Sequence, residues 1–211
     1  EELKGCLCDD CSCDSVMTDR EFLSVELIYN LAKSIDLSLI EPTFKKVIDY
    51  NTAIANEGLT NYYGLSIGKL MKEGIEEGFY GNDLRNNMAS FASAGSDARM
   101  NGCSLPVMTT SGSGNQGMTC SLPVIKFCEL KNLPYEQLIR GLFFSHMTTI
   151  HIKSNIGRLS AYCGAICASA GVAGAISFLS GLSIEQIGYA IETTLGTMSG
   201  VICDGAKSSC A

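Results

Sequence analysis

Charge is scarce in this chain. Acidic and basic residues make up 18% of its 211 residues, and 15 Lys and Arg stand against 22 Asp and Glu, for a net charge of −7. The basic residues form no cluster, which argues against a nucleic-acid partner, because phosphate recognition needs grouped Lys and Arg. Long apolar runs are also missing. None reaches the roughly 18 to 20 uninterrupted residues that a membrane span requires. The nearest approach, residues 161–182, is rich in Gly, Ala and Ser, as in a helix packed closely against its neighbours. No stretch shows the apolar–polar alternation of a half-buried strand, and no internal repeat is visible. The opening residues show no secretory signal.

What remains favours a helical domain with a real core. Hydrophobic residues make up 46% of the chain, enough to offset the entropy of ordering it. Residues 1–17 form a Cys- and acid-rich irregular lead, and residues 18–211 read as one all-α domain. Thr18, Asp19, Arg20 and Glu21 resemble a capping box, followed by a stripe of Phe22, Leu23, Leu27, Ile28 and Leu31. Pro42 is expected to start the next helix, with Phe44, Val47, Ile48 and Ile54 on one face. A break follows at 59–64, and then a short helix over 65–78. Asp83 caps a helix expected to run to about Ala94. Further helices are predicted over 118–132, with Pro123 as a kink or a late start, and from Pro134 to about Ile152. A small-residue helix is predicted over 155–179. The last helix is capped by Ser183 and ends near Gly196 or Gly200. The amphipathic front helices are expected to cover the more apolar rear ones.

Four groups of residues carry possible chemistry. The first is residues 96–117, SDARMNGCSLPVMTTSGSGNQG, a polar segment with six Ser or Thr and four Gly. Inside a folded domain such a segment reads as a shaped binding floor rather than a linker. Its Ser113, Gly114, Asn115 and Gln116 would open a helix whose N-terminus favours an anion. The Lys of a GxxxxGK[ST] phosphate loop is missing, so a small carboxylate fits better than a nucleotide. Asp97 and Arg99 either brace the loop as an ion pair or engage ligand directly. The second group is Cys6, Cys8, Cys11 and Cys13, whose spacing is tight for a thiolate metal site and whose acidic neighbours oppose thiolate formation. The third is Cys203 and Cys210, bracketing a turn, with Cys163 and Cys167 one helical turn apart upstream. Three thiolates from two elements would leave one iron of a cubane open, and buried, inert thiols are the alternative. The fourth is His146 and His151, five apart and so a poor metal pair, with Lys153, Asn155 and Arg158 following. Eleven cysteines, an odd number in a chain this apolar, point to a reducing compartment rather than to a disulfide framework.

Three segments together resemble a known family. GSDARMNGCSLPVMTTSGSGNQGMTCSLPV, HIKSNIGRLSAYCGAICASAG and GVICDGAKSSCA are similar to the iron–sulfur L-serine dehydratase α-chain superfamily, and within it to the L-cysteine desulfidase branch of serine-dehydratase-like proteins. The similarity covers about residues 45–211. It implies a mostly helical cytoplasmic lyase that uses a [4Fe-4S] cluster and releases sulfide or water from L-cysteine or L-serine, giving pyruvate and ammonia. It implies Cys203 and Cys210 as cluster ligands, with Cys163 as the third and Cys167 as its rival. The loop at Ser113, Gly114, Asn115 and Gln116, with Arg99, would hold the substrate, and Lys153 and His146 are the candidates for the base. Members of that family are about twice as long, so the chain is expected to be a fragment that works with the missing N-terminal half, as a homo-oligomer. A thiol-rich metal- or amino-acid-binding module without turnover is the competing reading, and a helical scaffold with buried thiols is a third.

Overall fold

The computed structural model describes residues 20, 22–154, 156, 160–203, 205, 207 and 210. Among them, eight α-helices and no named strand are found. The Cys6–Cys13 group, the Thr18 capping box, Asn155 and Arg158 lie outside the described residues or rest on ones that do.

The first helix, α1 (Val25–Ser34), is capped by Ser24, whose hydroxyl accepts from the Leu27 N–H. It buries Ile28 and Ala32, while Phe22 lies ahead of it and is exposed. Helix α2 (Leu37–Thr60) starts five residues before Pro42, at an Asp36 cap. Pro42 therefore sits in the second turn, not at the start. It is tolerated there because that face is exposed, so the carbonyl deprived of its N–H partner can turn to water. Helix α3 (Ile67–Glu76) is short and strongly two-faced.

Helix α4 (Leu84–Met100) starts at the expected Asp83 cap but runs six residues beyond Ala94. The first five residues of the polar segment that reads as a loop, 96–100, are thus the end of a helix. The cause is tertiary. Asp97 is fully buried and accepts a 2.9 Å hydrogen bond from the Gly68 N–H, capping α3 from outside. Ser90 supports the same junction by donating to the Gly68 carbonyl at 2.7 Å.

Helix α5 (Gly114–Leu130) has buried residues all round, from Gly117, Met118 and Cys120 to Phe127 and Cys128. It packs against α2, α4, α6 (Tyr135–Ser154) and α7 (Gly164–Leu179). A helix apolar on every side belongs in the middle of a core. Helix α7 begins nine residues later than its composition suggests, because residues 160–163 pair with 201–203 instead. Helix α8 (Ile184–Met198) closes the bundle on α7 with Ile187 and Ile191, behind a capping box formed by Ser183 and Gln186. The principal core joins Phe44, Ile54, Met118, Leu122, Ile139, Leu142, Phe144 and Ile187. No helix among the described residues is long and apolar enough to cross a membrane.

Helices α2 and α4 cross where Gly58 meets Ala94 so closely that a Cβ at Gly58 would overlap the Ala94 backbone carbonyl. Replacing Gly58 by Ala is expected to destabilise the fold by about 1–3 kcal/mol, since backbone rather than a side chain would have to yield. Gly188 lies inside α8 with nothing within 4 Å of an added Cβ. There, Gly→Ala should stabilise by about 0.5–1 kcal/mol. Thermal unfolding of the two variants reads both signs.

Candidate functional site

The polar loop is far shorter than its composition implies, spanning 101–113 between α4 and α5. Its end is a tight turn. Thr110 and Ser113 exchange backbone N–H···O hydrogen bonds at 3.1 Å, with Ser111 and Gly112 in the left-handed region at φ 50° and 84°. Ser113 then caps α5, its hydroxyl accepting from the Gln116 N–H at 3.3 Å. The loop is pinned by polar groups inside the core. Asn51 of α2 accepts from the Met108 N–H at 2.9 Å and donates to Ser121 Oγ at 2.9 Å.

His146 does the same from α6. Its Nδ1 lies 2.9 Å from Thr110 Oγ1, and its Nε2 lies 3.5 Å from Cys120 Sγ. Cys120 in turn donates to the Gly117 carbonyl at 3.3 Å. One proton assignment satisfies all three groups. Thr110 donates to Nδ1, Nε2–H donates to sulfur, and the thiol donates to the carbonyl. Burial drives the imidazole pKa down to about 4 and pushes the Cys120 thiol up to about 12. His146 is therefore a neutral ring with both nitrogens engaged.

The residues expected to hold substrate are only partly free to do so. Arg99 and Asp97 do not pair. Arg99 donates to Asn115 Oδ1 at 2.8 Å, while Asp97 serves α3. Burial raises the Asp97 pKa, offset in part by the Gly68 and Ile67 N–H groups. Asn115 spends its amide nitrogen on Cys210, at 3.1 Å to the carbonyl oxygen and 3.5 Å to Sγ. Gly114 leaves the space that the Arg99 guanidinium fills, since a Cβ there would lie 2.5 Å from Nε. Gln116 is buried, and its Nε2 has no partner.

The thiols come together in part. Tyr162 and Ile202 form an antiparallel bridge, in which the Cys163 N–H donates to the Val201 carbonyl at 3.0 Å and the Cys203 N–H to the Ala161 carbonyl at 2.7 Å. Side chains alternate across such a pair, so Cys163 and Cys203 share the face opposite Tyr162 and Ile202. Cys163 is the N-cap of α7, not a residue of its helical face. Cys167 lies one turn inside, 1% exposed, and its thiol is raised by burial and lowered by Lys153. Lys153 is buried and donates to Ser160 Oγ at 3.2 Å. The seven described cysteines form no disulfide among themselves. Among the described residues, no three Cys, His, Asp or Glu side chains stand close enough to hold a metal ion.

Three contributors were missed in the sequence. Asn51 had a signal, as the one polar residue on the stripe Phe44, Val47, Asn51, Ile54 and Gly58, spaced 3, 4, 3 and 4 apart. Thr110 and Cys120 had none, because the loop, α5 and α6 meet only in the fold.

A neutral buried histidine makes stability depend on pH. The unfolded chain binds a proton near pH 6.5 and the folded chain only near 4, so the unfolded state holds more protons in between. Stability is therefore full above about pH 6.5 and is lost as pH falls toward 4, at up to about 1.4 kcal/mol per pH unit. His146→Gln removes this contribution. Its denaturation midpoint should fall less steeply than that of the wild type between pH 6.5 and 4, and parallel slopes would refute the assignment.

The model of the family described as serine dehydratase alpha chain matches residues 9–211, further toward the N-terminus than the three motif segments reach. A UPF0597 protein of Fusobacterium nucleatum is 65% identical over 97% of the chain and 48% of its own length. A UPF0597 protein of Lachnoclostridium phytofermentans is 47% identical over 94% of the chain and 46% of its own length. One of Desulfitobacterium hafniense is 44% identical over 93% of the chain and 45% of its own length. The chain thus spans about half the length of these relatives. No solved structure matches it. With the family model covering all but the first eight residues, the chain belongs to the serine dehydratase alpha chain family.

Proposed function

We propose that this chain supplies the thiol-bearing and substrate-holding part of a lyase that eliminates sulfide from L-cysteine, or water from L-serine, to give pyruvate and ammonia. The observation that carries this reading is the hydrogen-bond path from Arg99 through Asn115 to Cys210. It ties the first turn of α5 to the same tail segment that the bridge at Ile202 holds beside Cys163. One hydrogen-bond path thereby links the 113–116 loop to the tail segment that carries Cys203 and Cys210.

The cofactor in this reading is a [4Fe-4S] cluster held by Cys163, Cys203 and Cys210. The donor chemistry fits, since cysteine thiolates are the ligands such clusters take. Cys167 is the weaker third ligand because it is buried one turn inside α7. When bound, the cluster would supply a Lewis acid for the departing hydroxyl or thiol. The protein's own part is positioning. Ser113 fixes the direction of α5, and Arg99 and Asn115 hold the Cys210 segment against it. Gln116 keeps an unpartnered donor for the substrate carboxylate. His146 shapes the loop through Thr110, and burial, which lowers its pKa to about 4, makes it a weak base. A reducing cytoplasm suits cysteines that form no disulfide. The remaining half of the longer relatives' length and a second copy of the chain are the expected partners.

Iron and acid-labile sulfide analysis of the anaerobically reconstituted full-length protein, with assays on L-cysteine and L-serine side by side, tests the reading. A brown protein that releases sulfide or pyruvate is expected. Cys163→Ser, Cys203→Ser and Cys210→Ser should each lose most of the iron, while Cys167→Ser keeps it. A colourless, inactive protein holding zinc would overturn it.

A further inference from the structure

A cavity of about 510 Å³ opens where the last turn of α1, the start of α6 and the end of α7 meet. That volume falls within the roughly 300–1,000 Å³ of small-molecule sites. The thiols and the 113–116 loop lie at the opposite end of the same two helices, where α6 finishes and α7 begins. Helix α6 has 20 residues, which puts the two ends about 30 Å apart at the rise of an α-helix. None of the residues assigned to the lyase reading lines the cavity.

The floor is apolar and held in place. Phe178 stacks on the fully buried Phe144, with ring centroids 5.2 Å apart, and Tyr29 meets it edge-on at 5.8 Å. Leu179 fills the notch left by Gly141, where a Cβ would lie 2.7 Å from its Cδ1. A floor fixed in advance costs little ordering when a ligand arrives.

The charged lining consists of Lys33, Arg140 and Glu136, two cations against one carboxylate. Arg140 is committed. Its Nη1 donates to the Ala32 carbonyl at 2.8 Å, and its Nε and Nη2 each lie 2.9 Å from Glu136 Oε1. The Lys33 ammonium has only neutral partners among the described contacts. It donates to the Tyr29 hydroxyl at 2.9 Å and lies 4.5 Å from the centroid of that ring. None of the ion pairs among the described residues includes it. Tyr29 thus ties the one uncompensated cation of the cavity to its aromatic floor. In a chain of net charge −7, this concavity is locally positive by one unit.

We propose that this cavity binds a small monocarboxylate with an aryl or alkyl body, its carboxylate on Lys33 and its apolar part on Phe178 and Leu179. One uncommitted cation suits a monoanion, and Glu136 repels a second negative charge. Lys33 and Arg140 repel an organic cation. The site is separate from the thiols and stands independently of the lyase reading.

Calorimetric titration of the full-length protein with 3-phenylpropionate, and with 3-phenylpropionamide and 3-phenylpropylamine as its neutral and cationic counterparts, tests the site. Phenylpropionate should bind, and each counterpart should bind at least tenfold more weakly. Lys33→Met should weaken phenylpropionate by about tenfold, the loss expected for one charge-assisted hydrogen bond. Lys33→Arg should keep most of the affinity. Gln137→Trp adds bulk at the exposed rim and should block entry. Lys33 and Gln137 are both exposed, so these variants should fold, and thermal unfolding checks that they do. Amide NMR shifts on titration should cluster in residues 31–35, 134–140 and 177–181. Four results would each overturn the proposal: no binding, as when the remaining half of a longer chain covers the cavity; equal affinity for the amide; undiminished binding in Lys33→Met; or shifts centred on residues 113–116 and 163.

Discussion

The first turn of α5 has to be satisfied without water, and much of the molecule follows from that. Helix α5 is enclosed by α2, α4, α6 and α7, so its leading N–H groups cannot turn to solvent. An unpaired buried N–H costs about as much as a lost hydrogen bond. Ser113 meets part of the need, but a serine can cap only if the chain before it is held in one shape. The Thr110–Ser113 turn supplies that shape, and it needs φ > 0 at Ser111, which an ordinary side chain adopts only under support. The support comes from the core. Asn51 grips Met108 and His146 grips Thr110. Two polar residues buried in helices thus determine the geometry of a loop that looks, by composition, free to move.

Helix α7 shows what happens when that provision is missing. Its first turn has no side-chain cap, and its N-cap is a cysteine whose own N–H is committed to Val201. Of the polar residues nearby, Lys153 is a donor, while Gln116 turns its amide oxygen toward Gly164. The two central helices therefore begin differently, one with a side-chain cap and one without.

The helical class and several caps were legible in the sequence because they rest on local rules. Asp83 and Ser183 cap the helices they were expected to cap, since a side-chain oxygen reaching the third N–H needs no help from the rest of the fold. The errors fall where tertiary partners override local preference. Residues 96–100 look like loop because Ser and Asp favour caps and turns, yet Gly68 offers Asp97 a backbone partner and the helix continues. Residues 160–163 look like helix because they adjoin small apolar residues, yet Val201 and Cys203 draw them into a bridge. The site was half legible for the same reason. The loop and the cysteines could be named from motifs. That Asn115 serves Cys210, and that His146 serves Thr110, depends on separations of 95 and 36 residues, which no spacing rule spans.

The bridge between Tyr162 and Ile202 has a consequence for any metal chemistry at these thiols. Two backbone hydrogen bonds, at 3.0 and 2.7 Å, fix the relation of Cys163 to Cys203, whereas Cys210 is tied through Asn115. The first pair is set by backbone and the third by a side chain. A ligand set built this way has two rigid members and one adjustable one. Closing it around a metal then requires Asn115 to move or to release Sγ. Because Asn115 also holds Arg99, that movement reaches the first turn of α5. Thiol geometry and loop geometry are therefore one coupled arrangement.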